Sequence, residues 1–92
     1  MITLWDGWAI GSDEYQLILG KPENRNLNGR IIVEMKNATY HGTLWKALES
    51  FYNHQVRESI KENDYTLSQA LVVASQIEKR IREIIREPDF QP

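Results

Sequence analysis

In the last third of the chain Leu67, Ala70, Ala74, Ile77, Ile81 and Ile84 recur at alternating steps of three and four, the spacing that lines one face of a helix. Thr66, with Gln69 three residues on, is the capping-box pair that opens a helix, and Tyr65 just before it takes the staple position. Pro88 forbids continuation, so this helix is expected over about 67–86, roughly 30 Å of length. Val72 and Val73 widen its apolar arc beyond what one neighbour would cover. That excess predicts a homo-oligomer, a dimer or higher, with Val73, Ile77, Ile81 and Ile84 as the candidate interface.

Upstream, Leu44, Leu48, Phe51, Gln55 and Ser59 share one helical face. Thr43 is the expected N-cap, with Gly42 as a joint, and Asn63-Asp64 is the break, giving a helix over about 44–62. Gln55 interrupts the apolar stripe, where an amide needs a partner, an opening to water or a position at the core's edge. So short a link between two long helices implies an antiparallel hairpin.

The first forty residues read instead as an antiparallel sheet. Trp8–Ile10 is a short β-prone run, and Gly11, Ser12 and Asp13 supply turn chemistry, with Gly11 free to take a positive φ. Tyr15, Leu17 and Leu19 alternate with Gln16 and Ile18 in a returning central strand, expected to end at Gly20, Lys21 and Pro22. From Pro22 to Gly29 the chain is polar and asparagine-rich, which predicts an exposed loop closed by the turn dipeptide Asn28-Gly29. A strand over Arg30–Met35 follows, and Ile2–Trp5 offers a further edge. The expected fold class is α+β, a single domain over 1–92: an antiparallel sheet of three or four strands (about 2–40), then the two-helix hairpin.

Composition narrows the functions compatible with this architecture. No stretch approaches the roughly 20 apolar residues that cross a bilayer, so no membrane partner is expected. Met1 runs straight into Ile2, Thr3, Leu4, Trp5 and Asp6 without a secretory pattern, and the expected compartment is the cytoplasm. The absence of cysteine excludes disulfides, thiolate zinc sites and cysteine nucleophiles. The net charge is −2, and from Lys46 onward basic and acidic residues are mixed, which argues against a duplex-DNA module. Lys79, Arg80, Arg82 and Arg86 are interleaved with Glu78, Glu83 and Glu87, the pattern of a solvated, ion-paired helix face.

Catalytic chemistry finds little support. His41 lacks a carboxylate at metal-ligand spacing and Glu58, four residues after His54, lacks a second histidine, the glycines are too dispersed for a phosphate loop, and Asp13-Glu14 sits in a turn. No enzyme activity, metal or cofactor is expected. The segment Tyr40-His41-Gly42-Thr43-Leu44-Trp45 is different, because it joins a strand to a helix N-terminus, where free amides and the positive end of the dipole receive anions. Tyr40, His41, Thr43 and Trp45, with Trp8, form a candidate site that stacks a base while Arg30 balances phosphate charge. The competing reading is that these aromatics are core, with Trp45, Tyr52 and Val56 as sheet or subunit contacts.

The order of elements, the run Tyr40-His41-Gly42-Thr43-Leu44-Trp45-Lys46-Ala47-Leu48 leading to Arg57, and the later Thr66-Leu67-Ser68-Gln69-Ala70-Leu71 resemble small proteins encoded by bacteriophages and integrated elements of Gram-positive bacteria. The resemblance implies a non-enzymatic anti-defence role. One form is a sponge similar to the anti-Thoeris proteins of phages, which bind a cyclic nucleotide or cyclic ADP-ribose-type signal between subunits. Another is an inhibitor that covers a host defence protein such as a nuclease, as anti-CRISPR proteins do. A third is a small dimeric accessory protein that handles nucleic acid.

Overall fold

A computed structural model describes residues 1–85. It has the α+β arrangement expected: strands β1 (Ile2–Thr3), β2 (Ala9–Ser12), β3 (Leu17–Leu27) and β4 (Arg30–His41), then helices α1 (Leu44–Glu62) and α2 (Leu67–Ile85). The sheet is a four-stranded antiparallel meander in the order β1-β2-β3-β4. The chain divides into two compact units, Met1–Ala47 and Leu48–Pro92, with the boundary inside α1. Arg86 and Pro88, which set the expected end of α2, and Glu87 of the expected ion-paired face lie outside the described residues.

Each hairpin of the first unit is closed by its own turn chemistry. Asp6 and Gly7 have φ of 55° and 80°, and the Trp8 amide donates to the Trp5 carbonyl at 3.1 Å, so this Asp-Gly dipeptide turns β1 into β2. Between β2 and β3 the turn is made by Asp13, not Gly11. Its Oδ1 accepts from the amides of Tyr15 and Gln16 at 2.8 Å each, and the Asp13 amide donates to the Gln16 carbonyl at 3.1 Å. Gly11 lies within β2, and its φ is not positive. Asn28-Gly29 joins β3 to β4 as expected, with φ of 53° and 81° at its two positions, the mirror-image turn whose twist matches antiparallel strands.

The largest departure from the sequence reading is the length of this third hairpin. The segment expected as a loop from Pro22 is strand as far as Leu27, and β4 continues past Met35 to His41. Pro22 is tolerated because β2 pairs β3 only over Leu17–Gly20, so beyond that point β3 has an unpaired edge where a missing amide costs nothing. The β3–β4 register shifts once. Leu19 faces Thr39 and Lys21 faces Lys36, so Asn37 and Ala38 together oppose Gly20, and Asn37 takes a φ of 54° at this bulge.

The buried side chains of the first unit are Leu4, Trp8, Ala9, Ile10, Leu19 and Ala47, and those of the second are Leu48, Phe51 and Ile81. Thr43 caps α1, its Oγ1 accepting from the Lys46 amide at 3.2 Å. At the other end the Asn63 side chain donates to the Ser59 carbonyl at 2.9 Å. Thr66 and Gln69 form the expected reciprocal capping box (2.9 and 3.2 Å), and the hydroxyls of Tyr65 and Ser59 lie 3.1 Å apart, tying the link to α1. On α2, Val73, Ile77 and Ile84 are half-buried. Ile81 is already covered within the chain, whereas Leu67, Leu71 and Val72 are exposed.

Candidate functional site

The strand-to-helix junction lies in the first unit, where β4 ends at His41 and α1 begins at Leu44. Tyr40 and His41 are consecutive residues of an extended strand, so their side chains leave opposite faces of the sheet. Tyr40, across from Ile18, is 59% exposed. His41, across from Leu17, is half-buried, and its Nε2 lies 2.8 Å from the Thr39 hydroxyl on the same face. Trp45, in the first turn of α1, is 67% exposed. The reading of these aromatics as core therefore does not hold for Tyr40 and Trp45, whose rings remain largely in water.

Thr43 is exposed and its hydroxyl is engaged with the Lys46 amide, which satisfies one amide of the four left free at a helix start. The first turn of α1 contains no acidic residue, so nothing within the turn offsets the positive end of its dipole. Lys46 adds a cation there.

Two candidates do not join this group. Trp8 precedes β2 and is 7% exposed. Because Ala9 pairs with Gly20, Trp8 neighbours Lys21, whose ammonium lies 5.3 Å from the ring centroid. It is a core residue with one covered face. Arg30 begins β4, immediately after the Asn28-Gly29 turn, at the opposite end of the strand from Tyr40. Ten residues of extended chain separate the two, roughly 30 Å, and no phosphate held at the junction reaches it.

Tyr15 does belong to this end of the sheet, and the sequence reading placed it within a strand. Ser12 pairs with Leu17 and Leu17 with His41, so the Asp13–Gln16 turn flanks the end of β4, and Tyr15 in it is 89% exposed. The signal was Asp13, an Asx-turn former two residues ahead. Its carboxyl is held below the usual carboxylate value by the Tyr15 amide and then by the Gln16 amide. Among the described residues no group of three His, Asp or Glu side chains is placed to hold a metal, and no helix is long and apolar enough to cross a membrane. Compared with protein-family models, curated proteins and solved structures, the chain matches none.

Proposed function

We propose that this chain is a non-enzymatic binding protein that captures a small nucleotide by stacking its base on exposed aromatic rings beside the start of α1. The observation that supports the reading is the exposure of Tyr40 and Trp45, at 59% and 67%, on either side of a capped helix N-terminus. Large rings contribute most to a small domain when buried, and here Trp8 is buried while these two are not. A base stacked on such a ring gains about 1–3 kcal/mol, and the free amides of the first turn favour an adjoining phosphate. The resemblance to phage-encoded proteins supplies the setting: stoichiometric sequestration of a host immune signal, with a cyclic nucleotide or cyclic ADP-ribose-type molecule as the ligand class. Arg30 and Trp8 have no part in it.

Thermal unfolding against a panel of cyclic nucleotides, ADP-ribose isomers and short oligonucleotides tests the proposal. A ligand at about 100 times its dissociation constant adds roughly 2.7 kcal/mol, a midpoint shift of several degrees for a small domain. The shift should vanish in Trp45→Ala and Tyr40→Ala while the unliganded midpoint stays. No shift with any member of the panel overturns the reading and favours the alternative, an inhibitor that covers a host defence nuclease. That alternative draws on the exposed Leu67, Leu71 and Val72 of α2, and a pull-down with the purified nuclease tests it.

A further inference from the structure

Beyond the reach of β2, the paired segments Lys21–Leu27 and Arg30–Lys36 form a two-stranded arm in which every residue from 21 to 33 is exposed. A ribbon of two strands is marginal in water without a third strand or a covered face. This one nevertheless leaves Ile31, Val33, Leu27 and Ile32 exposed at 74%, 56%, 44% and 42%. Its two outer edges are unlike. Both carry a lysine, Lys21 on β3 and Lys36 on β4, but only the β3 edge carries a proline, Pro22, a device by which free edges are protected from pairing. The β4 edge reads Arg-Ile-Ile-Val-Glu-Met-Lys over residues 30–36 without proline, and its first irregularity is the positive φ of Asn37.

Charge is arranged along the same edge. Glu23 and Glu34 face each other across the ladder, and Arg25 and Lys36 approach Glu34 at 3.3 and 3.6 Å. Arg30 makes no ion pair among the described residues.

We propose that the β4 edge is the contact between two copies of this chain, paired antiparallel about a two-fold axis at Ile32, so that a continuous sheet runs β3-β4-β4-β3. The register follows from the side chains. With the axis at Ile32, Arg30 faces the partner's Glu34 and Ile31 faces the partner's Val33, each pair occurring twice. With the axis one residue later, at Val33, Arg30 would face the partner's Lys36 and Ile32 the partner's Glu34, which sets like charges together and buries a carboxylate against isoleucine. With the axis at Ile31, the apolar residues would meet Gly29 and Arg30 and the charges would go unmatched. Positions whose numbers sum to 64 share parity, so at the Ile32 register Arg30, Ile32 and Glu34 stay on one face and Ile31 and Val33 on the other. An isologous contact of this kind closes at two copies. This proposal is independent of the nucleotide reading.

The test is a charge-swap cycle read by mass-resolved size measurement. The unmodified chain should be dimeric at high micromolar concentration. Arg30→Glu and Glu34→Arg should each weaken association by about tenfold or more, because both symmetric pairs become repulsive. Mixing the two variants should restore a dimer, since each copy then offers the charges the other lacks. On the unmodified protein, exchange protection of the Ile31 and Val33 amides, which alternate with the β3-bonded amides of Arg30, Ile32 and Glu34 and so point to the outer edge, should rise with concentration, a readout that survives if a variant fails to fold. A monomeric wild-type chain, single variants that stay as dimeric as wild type, a mixture that does not recover, or protection indifferent to concentration would each overturn the proposal.

Discussion

The carbonyl oxygen of Lys36 on β4 occupies the space that a side chain on Gly20 of β3 would need: a Cβ at residue 20 would stand 2.9 Å from that oxygen and 3.2 Å from the Met35 Cβ. Gly20 is the single residue that Asn37 and Ala38 bulge against. The close approach is backbone to backbone, so a rotamer change cannot relieve it. Gly20→Ala should therefore cost about 1–3 kcal/mol, as overpacking does, measured by urea denaturation. Gly11→Ala is the matched control, since its Cβ would meet only the flexible end of Met1 at 3.9 Å. Equal midpoints for the two variants would mean that the bulge yields freely.

The parts of this fold that announced themselves in the sequence are those where one local interaction decides. Thr43, Thr66 with Gln69, and Asn28-Gly29 each carry their own hydrogen bond or backbone preference, and each does in the structure what the residue types predict. Asp6-Gly7 carries the same signal. The strand over Pro22–Leu27 was hidden for a different reason. Proline, lysine, glutamate and asparagine disfavour a central strand, but β3 is only two-stranded there, and both its faces are exposed. Its pairing is imposed by the turn and by Ile31, Ile32 and Val33 opposite, a tertiary influence that composition does not report. The candidate site was half legible. Contiguous residues kept Tyr40, His41, Thr43 and Trp45 together, whereas Trp8 and Arg30 were assigned by type, and the bulge and strand length that separate them are not written locally.

The capping box at α2 has a measurable share in stability. Thr66 Oγ1 accepts from the Gln69 amide, and Gln69 Oε1 accepts from the Thr66 amide, so each side chain satisfies the other's backbone. Thr66→Ala should lower stability by about 1 kcal/mol, whereas Thr66→Ser, which keeps the hydroxyl, should lose little. Thermal midpoints of the pair decide this. An alanine variant as stable as wild type would show that water replaces the cap at no cost.

Trp8 and Trp45 should respond oppositely to removal. Trp8 is buried and covered by Lys21, so Trp8→Ala should destabilise the fold by about 3–5 kcal/mol, enough to unfold a small domain of ordinary stability. Trp45 is 67% exposed, and Trp45→Ala should stay within about 0.5 kcal/mol of wild type. Chemical denaturation of both separates a core tryptophan from one kept at the surface. A large loss at Trp45 would identify it as a packing residue and remove the chief support for base stacking.

Asp13 ties stability to acid pH. Its carboxylate accepts from the Tyr15 and Gln16 amides, and these bonds favour the ionised form, so the folded group titrates below its ordinary value of 3.8. The sign follows from linkage. A depressed carboxyl contributes stability that is present above its unfolded value and is lost as pH falls through the folded one. Asp13→Ala removes that contribution, so wild type and variant should differ most at neutral pH and converge as the pH drops below about 3.8. The group is exposed, which keeps the effect small and screened by salt. The side-chain titration of Asp13 followed by NMR, beside midpoints of both proteins across the acid range, checks the direction. A midpoint difference that persists unchanged in strong acid would mean that the turn is held by the protonated side chain equally well, and that the two amides do not select the ionised form.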